Sequence, residues 1–230
     1  MPPSMGMLSI VVPALDEAPN LERLLPDLVA RCPQEEVVVV DGGSADASAE
    51  VVRRFPSVHF IASPRGRARQ MNAGARVARG DALLFLHADT ELPEGAMSAI
   101  ARALADPSVV GGRFDVRFTS PRWPFRMIAG FMNRRSRWSG ISTGDQGIFV
   151  TRAAFDALGG YPDIPLMEDI ELTRRLKRLG RLASLDLRVT TSSRKWERDG
   201  ILRTVLLMWS LRFLYFCGVS PARLCGWYYR

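Results

Sequence analysis

The first ninety residues alternate short continuous apolar runs with stretches of helical spacing. Leu8-Ser9-Ile10-Val11-Val12 is stopped by Pro13, and the valine run 37–40 follows a helical stretch over 20–31. Val58-His59-Phe60-Ile61 follows a second helical stretch over 46–54, and a third over 66–79 leads into Ala82-Leu83-Leu84-Phe85-Leu86. Strands that are apolar on both faces, interleaved with helices of about 10–15 residues, predict an α/β fold with a mostly parallel central sheet flanked by helices. Right-handed crossovers then make this a nucleotide-binding type of half-domain. The second half is less regular. Its pattern predicts strands over 111–118 and 146–150 and helices over 124–138 and 168–179, the last stopped by Gly180. No internal repeat or low-complexity linker interrupts the pattern. One domain is therefore expected over 1–200, with halves at 1–90 and 91–200, followed by a helical tail over 201–230.

In that tail Ile201, Val205, Met208, Trp209, Arg212, Phe213 and Phe216 recur at helical spacing, with Trp227, Tyr228 and Tyr229 close behind. Two readings stand side by side: a helix packed on its own domain or on a second copy in a homodimer, or an interfacial helix touching a membrane peripherally. Segment 201–218 is interrupted by Arg203 and Arg212 and is too short and too charged to span a bilayer. Charge sharpens the picture. The net charge of +7 is concentrated at the end: residues 174–230 carry 13 basic and 3 acidic side chains, against 18 and 21 in the first 173. This argues against a nucleic-acid coat and for a basic C-terminal portion facing phosphates or an anionic membrane surface. Three cysteines without a CxxC pair and only two histidines exclude a Cys/His zinc site, and the odd cysteine count suits a reducing compartment. Pro2 and Pro3 follow Met1 with no arginine-flanked apolar stretch, so no signal peptide is read and the expected location is cytoplasmic, extending in the second reading of the tail to the inner face of the cell membrane.

In open parallel sheets ligands sit beyond the carboxyl ends of the strands. Those ends are acidic here: Pro13-Ala14-Leu15-Asp16-Glu17, Asp41-Gly42-Gly43-Ser44-Ala45-Asp46 and His87-Ala88-Asp89. Helix capping accounts for Asp46 and serves Ser44 equally well, whereas Asp41, at the last position of a valine run, points to a ligand. Between the third and fourth strands, Arg65, Arg67 and Arg69 crowd the first turn of a helix around Gly66, a ready anion site. It is not a Walker loop, because GxxxxGK[ST] is missing.

The run Ser9-Ile10-Val11-Val12-Pro13-Ala14-Leu15-Asp16-Glu17, then Val40-Asp41-Gly42-Gly43-Ser44-Ala45-Asp46, then Phe85-Leu86-His87-Ala88-Asp89, resembles the family 2 glycosyltransferases of the GT-A fold. It is most similar to their short bacterial members associated with radical-SAM and selenodomain proteins. Gly144-Asp145-Gln146-Gly147, Met167-Glu168-Asp169 and Ser193-Arg194-Lys195-Trp196 extend the likeness over nearly the whole chain. The resemblance implies transfer of a sugar from a UDP- or GDP-linked donor to a small-molecule or lipid-linked acceptor hydroxyl, with inversion. It makes 1–90 the nucleotide-sugar half and 91–200 the acceptor half. Pro13, Asp16 or Glu17, Asp41 and Ser44 would then hold base and ribose, while Arg65, Arg69 and Asn72 line the far side of the nucleotide. In the segment matching the DxD signature, Ala88 sits between His87 and Asp89, and Asp89 would bind a divalent metal, Mn²⁺ or Mg²⁺. Asp169 matches the base, with Glu168 as alternate or acceptor contact. Arg194 and Trp196 would clamp the diphosphate and stack on a sugar, and Gly144, Asp145 and Gln146 would meet the acceptor.

His87 departs from the pattern, because it stands where the first Asp of DxD is usual; it is either a second metal ligand, an imidazole that favours Mn²⁺ somewhat over Mg²⁺, or a residue that only packs behind the site. QxxRW, a mark of processive members, is absent, which argues against a polymerising synthase. The macrodipole at the start of the 168–179 helix is expected to lower the carboxylate pKa and keep Asp169 ionised at neutral pH. Two other classes remain in play. One is a nucleotidyltransferase, which would carry a glycine-rich basic loop where this chain has Ala14-Leu15-Asp16-Glu17. The other is a non-catalytic nucleotide-sugar binder that has lost a working DxD.

Overall fold

The computed structural model describes residues 6–228, so Met1, Pro2, Pro3 and Tyr229, invoked above, lie outside the described residues. Strands β1 (Leu8–Ala14), β2 (Glu36–Asp41), β3 (Val58–Ala62) and β4 (Ala82–Phe85) are parallel neighbours in the order β3-β2-β1-β4. Helices α1 (Ala18–Arg31), α2 (Ser48–Arg53) and α3 (Arg67–Val77) connect them. Successive side chains of a strand point to opposite faces. Accordingly Ile10 and Val12, Val37 and Val39, and Ala82 and Leu84 enter one core layer, while Val11, Val38 and Val40, and Leu83 and Phe85 enter the other. Burial on both faces is why these strands read as unbroken apolar runs.

β4 pairs antiparallel with β7 (Ile148–Thr151), and β7 pairs antiparallel with β6 (Val109–Phe118). β6 runs parallel to β8 (Arg181–Thr191), and the two-residue β5 (Thr90–Glu91) closes the edge antiparallel to β8. Helices α4 (Ala96–Leu104), α5 (Trp123–Ser139), α6 (Arg152–Ala157) and α7 (Glu168–Leu176) complete this half. Residues 144–146 form a 3-10 turn at the entry to β7, which starts at Ile148, two residues later than the strand expected over 146–150. The expected helix over 168–179 ends three residues early, in turns that reach Gly180.

A buried charge network fixes α5 on the sheet. Arg113 of β6 is 2% exposed, yet it pairs with Asp115 and donates to the Asn133 carbonyl at 3.1 Å. Asp115 also pairs with Arg137 at 2.7 Å, and Asn133 exchanges two hydrogen bonds with the Val116 backbone. A buried guanidinium is tolerated only when paired and hydrogen-bonded in this way.

The tail folds back as α8 (Arg194–Asp199), α9 (Ile201–Phe216) and α10 (Pro221–Tyr228). α9 is anchored to α7 through one carboxylate: Glu171 accepts from Tyr215 Oη at 2.9 Å, from Arg174 Nε at 3.0 Å and from Arg175 Nε at 2.7 Å. Thr204 and Leu211 are buried against the domain, while Leu202, Leu206, Trp209, Phe213 and Phe216 stay exposed. No helix among the described residues is long and apolar enough to cross a membrane.

Burial alone would raise the Glu171 pKa, but the hydrogen bonds from Arg174, Arg175 and Tyr215 outweigh it and hold the group at about 2. A carboxylate whose folded pKa is depressed contributes stability above its unfolded pKa and loses it as pH falls through the folded value. Urea unfolding should therefore show Glu171→Gln less stable than the parent by about 2 kcal/mol at pH 7, a gap that narrows between about pH 4 and pH 2. Tyr215→Phe should cost about 1 kcal/mol.

Candidate active site

The cleft forms where β4 ends, at the 3-10 turn and at the start of α7. Met167, just before α7, adopts φ 72, a left-handed conformation that a long side chain takes only under strain of about 1–3 kcal/mol. The turn delivers Glu168 and Asp169, 4% and 7% exposed, as adjacent buried acids at the helix start. The Gly144 backbone N–H donates to Asp169 Oδ2 at 2.9 Å, while Asp169 Oδ1 is buried without a partner. Glycine is required at 144 by close approach: a Cβ there would collide with His87 Nε2 and lie 2.7 Å from Asp169 Oδ2. Tyr161, 2% exposed, lies beside the two acids and rests edge-on against Phe85, their ring centres 4.9 Å apart.

The electrostatics overturn one expectation. Burial, then the Glu168 charge, push the Asp169 pKa up, well above the ordinary carboxylate range, although Arg67 and the Gly144 N–H pull the other way. The helix dipole does not win against removal from water. Asp89 is raised too, first by burial, despite its hydrogen bond from Thr90 and the charges of Arg67 and Arg194. Burial followed by Arg67 lowers His87 well below its usual value, so its imidazole is neutral, and its buried Nε2 has no hydrogen-bond partner.

Arg67, Asp89, Asp145, Glu168, Asp169, Lys195 and Trp196 line this cleft, a cavity of about 230 Å³. Arg67 is the arginine of its trio that reaches it, with Nη1 3.6 Å from Glu168 Oε1. The signal was present in the sequence, because Arg67 continues the buried stripe of Gln70, Met71 and Gly74 at helical spacing. Arg69 instead pairs with Asp163 at 2.9 Å on the surface, and Arg65 is also exposed. Lys195, its pKa brought down to about 8 mainly by burial, holds Nζ 3.5 Å above the Tyr228 ring. Neither the position of Lys195 nor that of Tyr228 follows from local pattern, since both depend on the tail folding back.

Several expected contacts are committed to the scaffold. Asp41 accepts from Ser44 Oγ and from the backbone N–H of Gly43 at 3.0 Å, while Ser44 Oγ takes the Asp16 N–H at 2.9 Å. Asp16, at φ 55, returns a bond to the Ala45 N–H at 2.8 Å. Asp46 caps both neighbouring helices, taking the Ala18 and Ser48 N–H groups at 3.0 Å each. Asn72 spends both ends of its amide on the Tyr161 backbone, at 2.8 and 2.9 Å, rather than facing outward. Ala88 packs into the core at 4% exposure, and Gln146 is wholly buried beneath the turn, accepting from Ser136 Oγ at 3.0 Å. Pro13 and Glu17 remain half-buried at the β1 edge, and Glu17 senses the Asp89 charge. Arg194 bonds Asn20 at 2.9 Å, and Trp196 packs edge-on against Phe118 at 5.6 Å.

Among the described residues no three His, Cys, Asp or Glu side chains gather tightly enough to hold a metal ion. A hard divalent ion such as Mg²⁺ is ordinarily bound through one or two carboxylates plus substrate phosphates, so a single carboxylate lining the cleft fits that demand. Asp89 is such a group, and the free Nε2 of His87 borders the same cleft.

Comparison with known proteins agrees with this geometry. The model of the family described as Glycosyl transferase family 2 matches residues 9–159. A PGL/p-HBAD biosynthesis glycosyltransferase of Mycobacterium bovis is 31% identical over 176 residues, covering 67% of this chain and 63% of its own. An undecaprenyl-phosphate 4-deoxy-4-formamido-L-arabinose transferase of Pseudomonas fluorescens is 31% identical over 66% of this chain and 49% of its own. The chain thus spans less than two thirds of the length of these relatives. Among solved structures, a mannosyltransferase of Pyrobaculum calidifontis in complex with GDP-Man and Mn²⁺ shares the fold with TM-score 0.63 and 24% identity, over 82% of this chain and 57% of its own. TarS of S. aureus in complex with UDP-GlcNAc aligns with TM-score 0.64 at 16% identity, over 81% and 58%. Fold, strand-end acids and family match converge, and the chain belongs to glycosyl transferase family 2.

Proposed function

We propose that the chain is an inverting, metal-assisted hexosyltransferase that moves a sugar from a UDP- or GDP-linked donor to a hydroxyl of a lipid-linked acceptor. The observation that supports this best is the meeting of two unlike sets of groups in one cleft: the buried acid pair Glu168 and Asp169, with Asp169 Oδ1 left without a hydrogen-bond partner, and Asp89 with Arg67. The relatives named for PGL/p-HBAD biosynthesis and for undecaprenyl-phosphate transfer favour a lipid acceptor. In this reading 1–90 is the donor half, 91–200 the acceptor half, and the tail lends Thr204, Met208, Leu211, Arg212 and Tyr228 to the lining of the cleft.

Inversion by one displacement needs a base opposite the leaving group. Asp169 takes the acceptor proton as the acceptor oxygen bonds to the anomeric carbon. The bond to the diphosphate breaks, and its electron pair leaves with the nucleotide. The Gly144 N–H keeps Asp169 aimed, and Glu168 contacts the acceptor while holding Arg67. A divalent ion on Asp89 and His87, Mn²⁺ or Mg²⁺, supplies positive charge to the leaving diphosphate when bound. Arg67, Lys195 and Arg194 add fixed positive charge on the same side, and Trp196 offers a sugar its face. Pro13, Glu17, Asp41 and Ser44 present the β1 and β2 edge to base and ribose, with the turn bonds holding that edge rigid.

Calorimetric titration should show UDP or GDP binding roughly tenfold or more tighter with Mn²⁺ than with chelator, a gain lost in Asp89→Asn. Metal-independent binding by the parent would favour a non-catalytic binder. Asp169→Asn should keep donor affinity and lower kcat by about 10²–10⁴-fold. A base acts ionised, and the Asp169 pKa is raised, so kcat should climb with pH through a limb above the usual carboxylate range. Glu168→Gln removes the like charge and should shift that limb to lower pH by about one unit or more, measured on kcat–pH profiles.

A further inference from the structure

Beside the cleft lies a larger cavity of about 580 Å³ between α5 and α9. Phe131 and Met132 of α5, with Val205 and Trp209 of α9, give it apolar walls. Thr143, Asp145, Trp196 and Arg212 border both this groove and the cleft, so the two spaces are continuous. The apolar surface does not stop at its rim. Trp123, Met127 and Phe131 repeat at four-residue spacing on α5, and Leu202, Leu206, Trp209, Phe213 and Phe216 form a stripe on α9, all exposed. Isolated exposed apolar residues mean little, but a contiguous patch on two helices flanking a groove marks a binding surface.

The groove is not apolar throughout. Arg135 reaches into it beside Asp145, and its terminal Nη2 is buried without a hydrogen-bond partner. Burial lowers the pKa of that guanidinium, which reflects its removal from water. Arg212 adds a second positive charge where the groove meets the cleft. A guanidinium N–H buried without an acceptor is costly until a ligand completes it, and the neighbouring Asp145 leaves that Nη2 without a hydrogen bond. An amphiphile answers both features, with its hydrocarbon along the groove and its anionic linkage at the arginines.

Resting on the transferase reading above, we infer that the groove between α5 and α9 holds the hydrocarbon chain of the acceptor, with Arg135 and Arg212 reading an anionic linkage next to the cleft. The chain and charge together choose the acceptor class: a lipid carrying a phosphate-type linkage, whose far end presents a hydroxyl to Asp169.

The test is calorimetric titration of the full chain with farnesyl phosphate below its micellar concentration, with UDP or GDP titrated into the same preparations. The parent should saturate with farnesyl phosphate, and inorganic phosphate should neither bind there nor compete. Phe131→Glu, at an exposed position, and Val205→Glu should each weaken farnesyl phosphate roughly tenfold or more, with nucleotide affinity unchanged. Val205→Leu should bind as the parent does. Farnesyl phosphate binding unaffected by either glutamate, displaced by phosphate alone, or absent from protein that binds nucleotide would overturn the assignment. So would a dimer in sedimentation that Phe131→Glu dissociates and farnesyl phosphate leaves intact. Farnesyl phosphate bound in the parent and weakened by both glutamates, in protein that binds neither UDP nor GDP, would support the groove as a lipid site while overturning the transferase reading.

Discussion

The cleft depends on keeping two neighbouring acids, Glu168 and Asp169, out of water, with Asp169 Oδ1 lacking a hydrogen-bond partner. Like charges side by side in a poorly hydrated site resist ionising together, and that resistance is a reservoir of proton affinity. Its confinement comes from several elements at once. The strained Met167 turn aims the pair, Gly144 leaves room and donates one N–H, and Arg67 reaches across from α3. A larger residue at 144 would push His87 and Asp169 apart, so the smallness of one side chain sets how closely the turn, α7 and the end of β4 approach.

The strands of the first half were readable because they are buried on both faces, so their apolar runs needed no tertiary context. Asp46 binds the N–H groups at two helix starts, in line with its expected capping role, whereas the Asp16–Ser44 bond shows what a one-dimensional reading misses. Acidic residues at strand ends are equally good ligands and equally good turn-makers, and only the placement of neighbouring N–H groups decides. Asn72 shows the same ambiguity, since an amide that satisfies buried backbone looks, in a sequence, like one that faces a ligand. The pKa expectation failed on magnitudes: a helix dipole contributes about 0.3–1 kcal/mol, less than the cost of burying a carboxylate beside another.

The second half hid more. β8 alternates only loosely, and its pairing with β6 is broken by register shifts, so no clean period marked it. The tail's apolar spacing was visible, but its packing was not. Helix α9 is apolar on nearly every side, and such a helix gives no indication of which face meets its own domain. Only the Tyr215–Glu171 bond and the burial of Thr204 and Leu211 fix its orientation.

Glu171 sits one turn beyond the acid pair on the same short helix. Through it, the segment that aims the two acids and the segment that walls the wide groove become one mechanical body. Swapping tails between related enzymes would therefore disturb turnover as well as cargo preference, unless the Arg174–Glu171–Arg175 clamp were transplanted with them. On the proposed reading, a change in the tail's reach also disturbs the setting of Asp169.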